Sequence, residues 1–265
     1  MDVGAQATRR YERYVAIGDS STEGLDDPDG RGGYRGWANR LAERLAAAQG
    51  SLLYANLAVR GRRTREVREQ QLAHAVAMRP DLVTVFTGTN DVVTRHFDPD
   101  AVAHDMEAIQ RTLIEQGAAV LTFTLPDLTP VMPFARLIAR RIAALNQAHR
   151  AVTARTGAIL VDFAAFPVAS DRRLWADDRL HANALGHTLI AAALASALQL
   201  PGSDHSWQLP LPEPPPRSLG ETLAAEAAWA RGHLVPWLWR HLQGRSSGDG
   251  RQAKRPALLP LSPCG

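Results

Sequence analysis

Five short apolar runs, each long enough for a strand and separated by room for a helix, constrain this chain more than any other feature. They span residues 14–17, 52–57, 82–87, 119–124 and 158–163. Helical patterns lie between and after them, over 37–49, 64–78, 99–116, 134–156 and 184–200. Strands that are apolar along nearly their whole length belong in a parallel sheet covered by helices on both faces. The expectation is therefore an α/β fold with a five-stranded parallel sheet and right-handed crossovers. Ligands should gather beyond the carboxyl ends of its strands.

The alternation stops near residue 200, so residues 1–200 are read as one domain. Residues 201–218 are proline-rich and lack apolar periodicity, which predicts an extended linker. Residues 219–243 form a helical extension that holds three of the six tryptophans, Trp229, Trp237 and Trp239. Pro236 should kink it. Its apolar face (Leu219, Leu223, Ala227, Ala230, Leu234) suits packing back on the body of the fold. The same segment suits docking on a membrane surface or on a protein partner. Residues 244–265 read as a disordered tail.

Several classes of function are disfavoured. No apolar run approaches eighteen residues, so no membrane-spanning helix is expected. The first fourteen residues have basic groups but no apolar stretch behind them, so no secretory signal is read and a cytoplasmic location is expected. The single cysteine, Cys264, excludes an internal disulfide framework and a cysteine metal cluster. The net charge is +3 and almost all the positive charge is arginine. The clusters Arg62, Arg63, Arg65 and Arg140, Arg141 fall in helical segments among acids and apolar residues, so no nucleic-acid surface is expected.

The informative residues stand where the strands stop. The first run ends in Gly18-Asp19-Ser20, the second leads through Asn56 to Gly61, and the third ends in Gly88-Thr89-Asn90-Asp91. The fifth leads on to a loop with Asp178 three residues before His181. These groups fit acyl transfer. A serine hydroxyl is a weak nucleophile and needs a base, which His181 can supply. Asp178 can hold the imidazole tautomer and stabilise the imidazolium. Donors for an oxyanion are available in the backbone N–H of Ser20, the backbone N–H of Gly61 and the side-chain amide of Asn90.

The four stretches, in this order, resemble the SGNH hydrolases, also called GDSL esterases and lipases. GDSSTEG resembles the nucleophile block, NLAVRG the glycine block, GTND the asparagine block, and DRLHANALGH the Asp-x-x-His block. The resemblance covers about residues 10–200. It implies Ser20 as nucleophile, His181 as base, Asp178 as its partner, and Ser20, Gly61 and Asn90 as oxyanion-hole donors. It also implies a flavodoxin-like three-layer α/β/α sandwich. Two positions depart from the pattern: Ser21 follows the serine in place of leucine, and Thr89 stands where glycine is frequent.

Plainer readings exist for each residue. Ser20 could cap a helix, Gly61 could be an ordinary loop glycine, and Asn90 a turn residue. His187 is read as the start of a docking helix, Asp91 as a loop-orienting or capping group, and Asp177 as a neighbour excluded by spacing alone. The GRSSG at 244–248 lacks the strand–turn–helix context of a nucleophile elbow. The acidic loop from Asp26 lacks the ligand pattern of a calcium loop. No cofactor and no metal are expected. The function expected is a serine esterase acting on a short-chain or acetyl ester of a small molecule, lipid or carbohydrate. Acyl transfer by the same triad and a non-catalytic scaffold are the alternatives.

Overall fold

All five expected strands are present in the computed structural model, which describes residues 9–213, 218, 220, 226–234, 248 and 250–261. They are β1 (Arg13–Gly18), β2 (Leu52–Asn56), β3 (Leu82–Phe86), β4 (Ala119–Phe123) and β5 (Ile159–Val161). They pair in parallel in the order β2-β1-β3-β4-β5, with Val15 opposite Ala55 on one side and Val83 on the other. The sheet order reverses direction between β1 and β3, where doubly wound folds bind their ligands.

The helices are α1 (Ser20–Glu23), α2 (Gly36–Gln49), α3 (Thr64–Gln70), α4 (Leu72–Ala77), α5 (Thr89–Val92), α6 (Pro99–Glu115), α7 (Ala139–Thr156) and α8 (Ala184–Ala197). Alternation along β1 sends side chains to two layers. Val15 and Ile17 pack with Val67 of α3, Ala75 of α4 and Ile109 and Leu113 of α6. Tyr14 and Ala16 face the larger cluster, with Trp37, Leu41 and Leu45 of α2 and Ala191 and Leu194 of α8. No helix among the described residues is long and apolar enough to cross a membrane.

Four expectations are corrected. The sheet has six strands rather than five: Arg255–Leu261 forms β6, antiparallel to β2, within the stretch expected to be disordered. Two prolines, Pro256 and Pro260, hide this strand in the sequence, yet an edge strand tolerates residues that cannot donate outward. The stretch expected as an extended linker begins packed on the body of the fold. Trp207 is buried edge-on against Phe163 and Phe166, with ring centroids 5.6 and 4.7 Å apart, so the chain past residue 200 still contributes to the core. The helical pattern over 64–78 breaks at Gln71, and that over 134–156 starts as a 3-10 turn, Pro133–Leu137. In the extension, Ala227 of the expected apolar face is exposed, whereas Trp229 is buried and Ala230 packs against the core. Pro236, Trp237 and Trp239 lie outside the described residues.

Two buried histidines hold the layers together. His187 Nδ1 accepts the N–H of Trp37 (3.1 Å), and its Nε2–H donates to the carbonyl of Leu25 (2.9 Å). It joins α8 to α2, in keeping with its reading as a docking residue. His149 on α7 stacks on Phe86 and reaches the Thr87 carbonyl (3.2 Å). Burial lowers both pKa values to about 4. The unfolded chain therefore binds these protons first, and the stability that the neutral rings contribute is complete above pH 6.5 and lost as pH falls toward 4. Thermal melts should show Tm falling between pH 6.5 and 4, by less than two histidines alone would give because the raised pKa of Asp19 acts in the opposite direction. A Tm unchanged across that window would mean that both rings take up protons in the folded state.

Candidate active site

Ser20 owes its position to the residue two places before it. At Gly18 the strand turns with φ +151°, and an added Cβ would lie 2.2 Å from the carbonyl oxygen of Phe86, so only glycine passes this point. Both backbone polar groups of Gly18 are held by one side chain. Its N–H donates to Gln71 Oε1 (2.8 Å), and Gln71 Nε2–H donates to its carbonyl (2.9 Å). Gln71 is the residue at which the 64–78 helix breaks. Asp19 then caps α1, accepting the N–H of Ser21 at 3.1 Å. The capping role is thus taken by Asp19, and the hydroxyl of Ser20 is left for another partner.

That partner is His181. Its Nε2 lies 2.9 Å from Ser20 Oγ, and its Nδ1–H donates to Asp178 Oδ2 at 2.6 Å. The other oxygen of Asp178 accepts the N–H groups of Leu180 (2.9 Å) and His181 (3.1 Å), which folds the loop around the carboxylate. Asn183 caps α8 directly afterwards, accepting from Leu185 and Gly186. Asp177, the sequence neighbour, is exposed. Burial pushes the Asp178 carboxyl up, but the hydrogen bond from His181 outweighs this and its pKa is lowered. Burial pulls His181 down, but Asp178 and Asp26 outweigh it and raise its pKa to about 9.

The glycine and asparagine blocks converge on the same turn. The N–H of Val59 donates to the Gly18 carbonyl (3.3 Å), and Asn56 Nδ2–H donates to the Thr22 carbonyl (2.8 Å). Glu23 accepts the N–H of Arg60 (2.8 Å) and pairs with its guanidinium. Gly61 follows with φ +77°. Neither the N–H of Ser20 nor that of Gly61 has an acceptor among the described residues. Asn90 is brought to the site differently. Its amide donates to Asp19 Oδ2 (3.2 Å) and to the Arg62 carbonyl (3.0 Å), so both of its hydrogens are engaged within the protein. Burial lifts Asp19 to about 6, against the pull of the Ser21 N–H. Asp91 accepts the N–H and the hydroxyl of Thr64, both at 2.9 Å, which is the loop-orienting role read from the sequence.

Three contributors were not legible. Gln71 sits inside an unbroken helical pattern. Asp26 has Oδ2 3.3 Å from His181 Nδ1, yet in sequence it is one acid of an acidic loop. The extension reaches the Asp178 loop: Trp229 Nε1–H donates to the Asp178 carbonyl (3.4 Å), its ring lies 4.2 Å from the Arg179 guanidinium, and Arg179 pairs with Glu226 at 2.6 Å. Among the described residues, Asp26, Asp178 and His181 are the one group of three side chains able to hold a metal, with ligand atoms within 4.8 Å. An ion there would take the Nδ1 position that His181 shares with Asp178, so it would compete with the triad geometry.

Solved structures resemble this fold. An alpha/beta hydrolase enzyme from the metagenome of Lake Arreo is 22% identical with TM-score 0.60, over 71% of this chain and 95% of its own. The psychrotrophic esterase EstA from Pseudoalteromonas sp. is 17% identical with TM-score 0.57, over 71% of this chain and 97% of its own. An acetylxylan esterase from Geobacillus stearothermophilus is 17% identical with TM-score 0.59, over 80% of this chain and 100% of its own. At these identities the likeness is one of fold. No curated protein sequence matches the chain. The family itself is given by the sequence match over residues 16–189, more than half of the chain: the protein belongs to the GDSL-like lipase/acylhydrolase family, the SGNH-type ester hydrolases.

Proposed function

We propose that this ester hydrolase cleaves short-chain carboxylic esters, acetyl esters foremost, through an acyl-serine intermediate at Ser20. The observation that carries the reading is the unbroken run Ser20 Oγ, His181 Nε2 and Nδ1, Asp178 Oδ2, at 2.9 and 2.6 Å. His181 Nε2 takes the proton as Ser20 Oγ attacks the ester carbonyl, and Asp178 stabilises the imidazolium that forms. The oxyanion accepts from the N–H groups of Ser20 and Gly61. Asn90 joins them by giving up its longer bond, the one to Asp19. The tetrahedral intermediate collapses, and the leaving alkoxide receives the proton from His181. Water, deprotonated by the same nitrogen, attacks the acyl-serine, and a second collapse releases the carboxylic acid and returns the proton to Ser20.

A short acyl group is supported by the polarity around the nucleophile. Exposed Asp26 and half-buried Asn90 and Asp178 border the nucleophile, and a long alkyl chain would have to displace their hydration. The acetylxylan esterase among the fold neighbours favours an acetylated carbohydrate as the natural ester.

A fluorophosphonate probe should label the wild type and not Ser20→Ala, and the variant should lose about 10⁵–10⁶ of kcat on p-nitrophenyl acetate. Acetate should exceed octanoate in kcat/KM. Labelling and turnover that persist in Ser20→Ala would remove the nucleophile assignment. The base must be neutral to accept a proton, so kcat/KM should rise with pH through a midpoint near 9, where His181 deprotonates. A plateau already reached at pH 7 would mean that the carboxylates beside His181 do not raise its pKa, while loss of turnover in His181→Ala tests its role as the base.

A further inference from the structure

His181 Nδ1 has two carboxylates against it, where a serine–histidine–aspartate relay needs one. Asp178 Oδ2 stands at 2.6 Å and Asp26 Oδ2 at 3.3 Å. Asp26 lies on the loop that follows α1, only six residues after Ser20. Its backbone is left-handed, φ +64°, a conformation that a residue with a Cβ adopts infrequently and that aspartate and asparagine tolerate best. The next residue anchors it: Asp27 is buried, pairs with Arg40 Nε and Nη2 at 2.8 Å each, and accepts the N–H of Gly36 at 3.0 Å. The carboxylate of Asp26 is thus delivered by a fixed turn and not by a wandering side chain.

We propose that Asp26 is a second carboxylate partner of His181, a positioning residue that acts through the imidazole and sets the pH range in which the enzyme works. The proposal rests on the reading of His181 as the general base. A negative charge beside Nδ1 favours the imidazolium in two situations with opposite consequences. During attack by Ser20 the imidazolium is being formed, and the added charge stabilises it and strengthens the base. In the resting enzyme the same charge retains a proton on the ring, and the protonated ring cannot accept another. Asp26 therefore strengthens the base at alkaline pH and withholds it at neutral pH. The other ionisable groups that face His181 are Asp178 on its own loop, Asp19 at the cap of α1 and His187 on α8, while Arg172 faces the carboxylate of Asp178. Of the three carboxylates, Asp19 is engaged with Asn90 and Asp178 holds the loop, which leaves Asp26 as the one whose charge can be removed without taking away a hydrogen bond of the turn.

Asparagine keeps the shape and the left-handed backbone, so Asp26→Asn isolates the charge. One opposite charge at this range shifts a titration by about one unit. The acid limb of kcat/KM should move down in pH by that amount, with activity at pH 7 about three-fold higher and the alkaline plateau about three-fold lower. The NMR titration of the His181 ring should move in the same direction. Because the Asp26 side chain is 42% exposed, 1 M salt should shrink the difference between wild type and variant. A residue that merely supported the fold would lower kcat/KM equally at every pH and leave the ring titration unmoved. That outcome, or profiles that superimpose while Ser20-dependent activity persists, overturns the proposal. Asp26→Gly, which also accepts the left-handed backbone, serves if the asparagine variant is unstable. If both unfold, the wild-type titration at low and high salt decides: a midpoint insensitive to salt overturns the proposal. The ring titration needs no turnover, so it judges Asp26 separately from the base assignment, which His181→Ala tests by loss of turnover.

Discussion

A hydroxyl at the end of a buried strand can reach solvent and a base only if the backbone turns at once, and in this protein that turn depends on Gly18. The carbonyl of Phe86 on the neighbouring strand occupies the space that any Cβ would need. The N–H that the turn removes from the β-ladder is recovered by Gln71, whose amide also shares the Gly18 carbonyl with the N–H of Val59. Everything downstream inherits this geometry. Asp19 is free to cap α1 because the strand has ended, Ser20 becomes the first residue of that one-turn helix, and its N–H is one of those a helix start leaves without an internal partner. The break between α3 and α4 belongs to the same device, since it occurs at the residue whose side chain is spent on Gly18.

The electrostatics of the site pull in two directions. Asp19, Asp26 and Asp178 surround one imidazole, while three nearby arginines are committed to acids of their own: Arg60 to Glu23, Arg62 to Glu66 and Arg179 to Glu226. Such surroundings favour a cation on His181 and oppose an anion on the substrate. In the proposed reaction the oxyanion is therefore a task for fixed backbone dipoles, which carry no net charge and are not neutralised by the nearby carboxylates. The amide of Asn90 is drawn toward Asp19 by the same negative field.

The strands and the four loops were legible because their signals are local. Apolar runs with intervening helical spacing specify a covered parallel sheet, and Ser20, Gly61, Asn90, Asp178 and His181 sit in short stretches whose residue types and order carry the pattern. The structure brings Ser20, Asp178 and His181 into bonding distance, and it turns Asn90 to internal acceptors. What the sequence hides is pairing at a distance. Gln71 reaches a glycine 53 positions away, and Asp26 meets a histidine on the far side of the chain. Trp207 looks like a feature of a linker, and the partner of Trp229 in the helical extension is unreadable until the surfaces that receive them are built. The prolines in β6 mimic disorder because their compatibility depends on which edge of the sheet they occupy.

The antiparallel sixth strand also bears on the order of assembly. Lys254, the only lysine of the chain, lies at the entrance to β6 and donates its ammonium hydrogens to the carbonyls of Tyr34 (2.8 Å) and Arg35 (2.9 Å). Those carbonyls end the loop that carries Asp26 and Asp27. Strands β1 to β5 join neighbours over short stretches of chain, whereas Leu52 meets Leu261 only after nearly the whole sequence has been closed into a loop. Contacts of such separation form slowly, since the entropy of closure is lost before the pairing compensates it. The loop that carries Asp26 thus has local ties, to Arg40 and Gly36, that can form early, and ties from Lys254 that come last, so one active-site loop draws on both the first and the last closures of the chain.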